Sequence, residues 1–309
     1  MTNLSEFTFL SSDGATQLHA MEWTDATPRA VLQLTHGVAE YIARYDHFAR
    51  FMAAQGFAVV GHDHLGHGYS LPRGGTPIFF AGKDGWTKVV DDVYTLCQKT
   101  HARYPDLPYF LLGHSMGSFV ARSLLIRYPD AVDGAIIMGS GWNSEAAIAG
   151  GRLLTTVLGK LHGKRSTNDF VTSLAFGSYN KAFAPNRTVV DWIASDPDSV
   201  DRYVNDPLCG QDVTIGLFHD MLGGFHFNQK AENLRKMRTD LPVLLISGAD
   251  DPVGAMGKGV EKTRDAFLSA GMEHVDMVLY PTLRHEILNE TQHRQTVYED
   301  ILHWLEQHL

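Results

Sequence analysis

Tyr109-Phe110-Leu111-Leu112-Gly113-His114-Ser115-Met116-Gly117-Ser118-Phe119-Val120 is the stretch on which the reading of this chain turns. Its first four residues form an apolar run suited to a buried strand, and Phe119, Val120 and Leu124 begin a helical pattern. Between the two lies Gly-x-Ser-x-Gly. A serine hydroxyl is a poor nucleophile near neutral pH, so it must stand clear of the backbone, beside a base and near donors that stabilise an oxyanion. Gly113 and Gly117 would let the strand turn sharply into the helix and lift the Ser115 side chain free. Ser115 therefore reads as a candidate nucleophile. An ordinary glycine turn would explain these five residues alone, but not the partners that follow in chain order.

The same alternation continues on both sides. Upstream, Ala30 to Leu34 is a short β-prone run, Tyr45 to Gln55 is helical up to Gly56, and Ala58 to Val60 is a second buried strand closed by Gly61. Trp86, Val89, Val90, Val93, Leu96 and Cys97 then form one stripe of an amphipathic helix that Pro105 ends. Downstream, Gly134 to Met138, Val243 to Ile246 and Val275 to Tyr280 are apolar runs, and Glu290 to Leu305 reads as a closing helix. Strands alternating with helices predict an α/β fold with a mostly parallel sheet covered on both faces. Residues 142–241 break the pattern: aromatics such as Phe176, Trp192, Tyr203 and Phe225 occur among helical segments without a convincing strand. That stretch is expected to be a helical cap (lid) inserted into a core of residues 1–141 and 242–309, over the sheet edge where open α/β sheets bind ligands.

A base and an acid should follow the later strands. His285 lies just beyond the last strand and before the closing helix, the position from which it can reach Ser115 as general base. The chain has 16 histidines, so position rather than residue type selects it. After the next-to-last strand come two adjacent candidates for the acid, Asp250 and Asp251. For the oxyanion hole the backbone N–H after the nucleophile is that of Met116, and Val38 in His36-Gly37-Val38-Ala39-Glu40 supplies one from the loop after the third strand.

His36-Gly37-Val38-Ala39-Glu40-Tyr41, Gly61-His62-Asp63-His64-Leu65-Gly66-His67-Gly68-Tyr69-Ser70, the Gly113 to Ser118 motif, Ser247 to Gly254 and Arg284 to Glu290 together resemble one family. It is the monoacylglycerol lipase, lysophospholipase and serine aminopeptidase branch of the α/β-hydrolases. The resemblance spans nearly the whole chain; within the insertion, Asp191-Trp192 and Tyr203 to Leu208 are similar to cap segments of bacterial members. It implies a triad of Ser115, Asp251 and His285, with Val38 and Met116 as oxyanion donors and hydrolysis of carboxylic esters of apolar acyl groups. Amide or aminopeptide cleavage by the same triad is the alternative. Glu40 and Arg44 match polar residues near the alcohol end of the site in monoacylglycerol lipases, or else form a structural ion pair beneath the loop. Those lipases often carry a second histidine three residues after the catalytic one; Leu288 stands there in this chain and joins Glu40 and Arg44 as a candidate substrate-binding residue.

Other classes fit less well. His62-Asp63-His64-Leu65-Gly66-His67 approaches the His-x-His-x-Asp-His signature of dinuclear zinc hydrolases, but Gly66 takes the place of the required aspartate. A formal charge of -9 without clustered Lys and Arg points away from nucleic acid; the partner that the resemblance implies is a small-molecule ester or lipid-like substrate. No metal or organic cofactor is implied. No apolar stretch reaches membrane-spanning length, so a bilayer can be touched transiently but not crossed. Met1 to Gly14 lacks the features of a signal peptide, and Cys97 and Cys209 lack CxxC spacing, so a cytoplasmic protein with two buried thiols is expected.

Overall fold

The computed structural model describes residues 2–25 and 27–309. In chain order its regular elements are β1 (Asn3–Leu10), β2 (Gln17–Thr24), β3 (Ala30–Thr35), α1 (Asp46–Ala54), β4 (Phe57–His62), α2 (Gly85–Arg103), β5 (Tyr109–His114), α3 (Met116–Arg127), β6 (Gly134–Met138), α4 (Glu145–His162), α5 (Asp169–Phe176), α6 (Pro197–Asn205), α7 (Ile215–Gln229), α8 (Ala231–Leu234), β7 (Val243–Gly248), α9 (Lys258–Ser269), β8 (Val275–Tyr280) and α10 (Arg294–Glu306). Eight strands form one sheet in the order β1-β2-β4-β3-β5-β6-β7-β8. β1 pairs antiparallel with β2 and β2 with β4, while every pairing from β4 onward is parallel. The five strands from β3 to β7 are buried along their whole length. This explains why their apolar runs do not alternate: helices cover both faces. Two apolar clusters result. One packs Val89, Val93, Phe119, Leu124 and Phe267 against one face of the sheet; the other packs Phe48, Met52, Val297, Ile301 and Trp304 against the opposite face.

Three expectations need correction. The hairpin β1–β2 lies outside the predicted strands, because seven of the eight β1 side chains are exposed or half-exposed on the strand's own edge and lack a buried alternation. Gly61 does not close its strand but lies inside β4, where a Cβ would collide with the Ile42 side chain. The closing helix begins at Arg294 rather than Glu290. The Glu290 carboxylate instead accepts hydrogen bonds from Ser195 N (2.7 Å), Ser195 Oγ (2.8 Å) and Asp196 N (3.0 Å).

Between β6 and β7 the chain leaves the sheet. α7 packs on α2, α3 and α4. There Asn228 accepts from Ser123 Oγ (2.6 Å) and donates to Phe119 O (2.7 Å), anchoring this helix to the one behind Ser115. α4 and α5 lie farther out and expose Leu153, Val157, Leu161, Phe170 and Leu174.

Candidate active site

Ser115 sits between β5 and α3 with φ 53° and ψ -123°, a strained conformation for a residue with a side chain. The turn is possible because neither flanking position carries a Cβ: one at Gly113 would collide with Gly117 O, and one at Gly117 with Thr35 O. Ser115 N donates to Met138 O (3.0 Å) on the neighbouring strand, and Ser118 Oγ donates to Ser115 O (2.6 Å), which fixes the elbow from both sides.

The loops after β7 and β8 bring the other two groups to the same edge of the sheet. His285 Nδ1 lies 2.9 Å from Asp251 Oδ2, and both residues are buried. Asp251 also accepts from Ser247 Oγ (3.1 Å) and Val253 N (2.9 Å), so its carboxylate cannot swing away. Asp250, its neighbour, is exposed. Burial disfavours the charged imidazole, but the attraction of Asp251 outweighs it and raises the His285 pKa above its ordinary value. His285 Nε2 is buried and has no hydrogen-bond partner among the described residues, and Ser115 and His285 line the same cavity. Val38 and Met116 line it too. Among the described residues no hydrogen bond engages either of their amide N–H groups.

Glu40 and Arg44 belong to a buried ionic network. Glu40 Oε1 accepts from Gly37 N (2.6 Å) and Tyr45 OH (2.9 Å) and lies 3.1 Å from His114 Nδ1. Arg44 Nη1 donates to Glu40 Oε2 (2.7 Å) and Glu286 Oε1 (2.8 Å), and Nη2 to Glu286 Oε2 (2.7 Å). Burial works against the Glu40 carboxylate, yet His114 and Arg44 hold it well below the usual range. Leu288 is a different matter. It is buried in the apolar cluster beside α10, and its carbonyl accepts from Tyr298 OH (3.0 Å), so it belongs to the core and not to the cavity wall. Glu286 and Glu290 had no assigned role in the sequence; their only signal there was acidic residues close behind a candidate base.

The zinc constellation does not assemble. His64 and His67 pack on His36 with tilted rings, and His62 and His67 meet His64 edge to face, with ring centroids 4.2 to 6.3 Å apart. Among the described residues no three His, Cys, Asp or Glu side chains converge so as to hold a metal ion. Asp63 pins the loop instead, accepting from Ile42 N (2.8 Å) and Tyr69 N (2.9 Å), while Ser70 Oγ donates to Asp63 O (2.6 Å). Cys97 and Cys209 are both buried and free.

Residues 26–292 match the family described as Serine aminopeptidase, S33 (Hydrolase_4). The chain belongs to the S33 family. A monoacylglycerol lipase of Mycolicibacterium smegmatis is 27% identical, over 99% of this chain and 98% of that protein. Among solved structures, a carboxyl esterase from Bacillus coagulans in complex with glycerol superposes with a TM-score of 0.92 at 29% identity, covering 99% of both chains. The S33 chain thus has the α/β-hydrolase fold expected of it, with the cavity at the carboxyl ends of β3, β5, β7 and β8.

Proposed function

We propose that Ser115, His285 and Asp251 are the catalytic triad of this S33 hydrolase and that its substrates are esters of apolar acyl groups with small alcohols, monoacylglycerols foremost. The protein is a carboxylic ester hydrolase of its family. The observation that carries the triad reading is the His285–Asp251 pair opening, with Ser115, into a cavity of about 840 Å³. That size suits a small lipid. Apolar side chains such as Ile148, Leu154, Phe176, Phe218 and Leu222 supply much of its lining, together with the polar Glu40, Glu286 and Tyr203. In this reading the acyl chain packs against the apolar part of that lining.

His285 Nε2 takes the Ser115 proton as Oγ attacks the ester carbonyl, and Asp251 holds the opposite nitrogen and stabilises the imidazolium. The Val38 and Met116 amides receive the oxyanion, and the alcohol leaves with the proton from His285. Water then attacks the acyl-enzyme with His285 again as base, releasing the acid and free Ser115.

The family description favours a second reading, amide or aminopeptide cleavage by the same triad. Against it, Glu40 and Glu286 are both paired with Arg44, so neither offers a free carboxylate to a substrate ammonium group. Residues 142–241 act as the cap in this proposal, with α7 as its anchored part. The exposed apolar side chains of α4 and α5 support transient contact with a lipid surface. No helix among the described residues is long and apolar enough to cross a membrane. A cytoplasmic location belongs to the same reading and is supported by the two free thiols. A hydrolysis panel of p-nitrophenyl esters, monoacylglycerols, lysophospholipids and aminoacyl amides tests the substrate class; preferential cleavage of the amides would overturn it.

A further inference from the structure

We infer that Glu286 is a positioning residue: its two-pronged pair with Arg44 registers the His285 loop against the oxyanion loop and the nucleophile elbow. The inference rests on the proposed triad. Glu286 is only 4% exposed, and three contacts fix the peptide that joins it to His285. Its backbone N–H donates to Ile193 O (2.7 Å), its carboxylate takes both prongs of the Arg44 guanidinium, and the His285 carbonyl lies 3.3 Å from His114 Nε2.

The contacts close a ring. Arg44 holds Glu40, Glu40 faces His114 and holds the Gly37 amide next to Val38, His114 precedes Ser115, and its far nitrogen returns to His285 O. Three loops that meet only in the tertiary fold thereby share one buried set of charges and hydrogen bonds. A planar guanidinium with two carboxylates fixes direction as well as distance, which a lysine ammonium cannot do. Glu286 also accepts from Asn289 Nδ2 (3.0 Å), so the carboxylate is held from its own loop as well. Since Nε2 of His285 must meet both the serine proton and the leaving oxygen, a displacement of the loop by about 1 Å is enough to cost on the order of 10²-fold in rate.

The alternative role for these charges, recognition of a polyol leaving group, predicts different kinetics. Deacylation proceeds after the alcohol has left, so an alcohol-binding residue has no part in it, whereas a residue that positions His285 acts in both half-reactions. The test uses the full chain with p-nitrophenyl butyrate and monobutyrylglycerol, which form the same acyl-enzyme, and follows the p-nitrophenol burst to separate acylation from deacylation. In Glu286→Gln, Arg44 keeps its Glu40 partner. That variant is expected to lose about 10- to 100-fold in kcat on both esters, with slowed deacylation and KM within about threefold. Arg44→Lys, which keeps the charge and loses the fork, should lose activity in the same pattern and carries the test if Glu286→Gln does not fold. The double variant should be little worse than either single, because the two residues act as a unit. A rise in KM confined to monobutyrylglycerol with normal deacylation, or an unchanged kcat on both esters, overturns the proposal. If the unsubstituted protein cleaves neither ester and Ser115 resists a fluorophosphonate, the triad reading itself falls and this inference with it.

Discussion

His62 is fully buried, stacks edge-on to Phe9 and His64, and finds no hydrogen-bond partner for either ring nitrogen among the described residues. Burial, reinforced by His36 and opposed by Asp63, pushes its pKa down to about 3. An unfolded chain would protonate the same ring near its ordinary value of about 6.5. Because the folded value is the depressed one, the unfolded state binds the proton first as the pH falls. Stability is therefore unaffected above about pH 6.5 and declines by about 1.4 kcal/mol per pH unit between there and about pH 3. At pH 5, roughly 1.5 units into that window, His62 alone lowers stability by about 2 kcal/mol. His62→Phe removes this linkage and leaves a ring of similar shape; any packing cost of the larger ring is the same at every pH. Other groups titrate in this range, among them Asp220, pushed up to about 7, and Asp92, up to about 6, both chiefly by burial. They act in the opposite sense, but they are present in both proteins and cancel in the comparison. Equilibrium urea unfolding at about pH 7.5, 6.5, 5.5 and 5 measures the difference. The variant should gain about 2 kcal/mol on the parent between the two extremes. A stability offset constant to within about 0.5 kcal/mol across the series would refute the claim that His62 is kept neutral by burial.

Ser115→Ala should lower kcat by about four orders of magnitude or more while the far-ultraviolet circular dichroism is unchanged, since the glycines and not the hydroxyl shape the elbow. Turnover within tenfold of the parent would rule out Ser115 as nucleophile. Asp251→Asn should cost roughly 10³- to 10⁴-fold in kcat, whereas the exposed Asp250 should tolerate the same change with less than about tenfold loss. Parallel assays on one ester decide between them, and a larger loss at Asp250 would reverse the assignment. Prolonged EDTA treatment should leave ester hydrolysis intact and a fluorophosphonate should abolish it by labelling Ser115. A zinc-dependent loss of turnover would contradict the serine mechanism.

The parts of this protein legible in the sequence are those written in local patterns. Buried parallel strands leave continuous apolar runs, helices leave a stripe, and the glycine-flanked Ser115 leaves a signature because the turn itself forbids side chains at two positions. Position along that alternation singled out His285 among 16 histidines as the candidate base, and the fold places it beside Asp251 in the cavity that Ser115 lines. The exposed edge strand β1 left no such pattern, and Gly61 resembled a strand terminator although its function is to make room for Ile42.

Contacts between distant segments were decided only by the tertiary structure. The sequence offered two adjacent aspartates, and the loop after β7 turns Asp251 inward to His285 and leaves Asp250 in solvent. Leu288 could have faced the cavity or the core, and the packing of α10 placed it in the core. Three histidines spaced as metal ligands became a buried cluster of tilted and edge-on rings, kept uncharged by burial, together with a fourth, His36, from the loop after β3. Arg44 and Glu286 stand 242 residues apart, and no spacing rule pairs them. Their meeting depends on the order in which β3, β5 and β8 enter the sheet, because the strand order determines which loops share one edge and hence which charges must neutralise one another there.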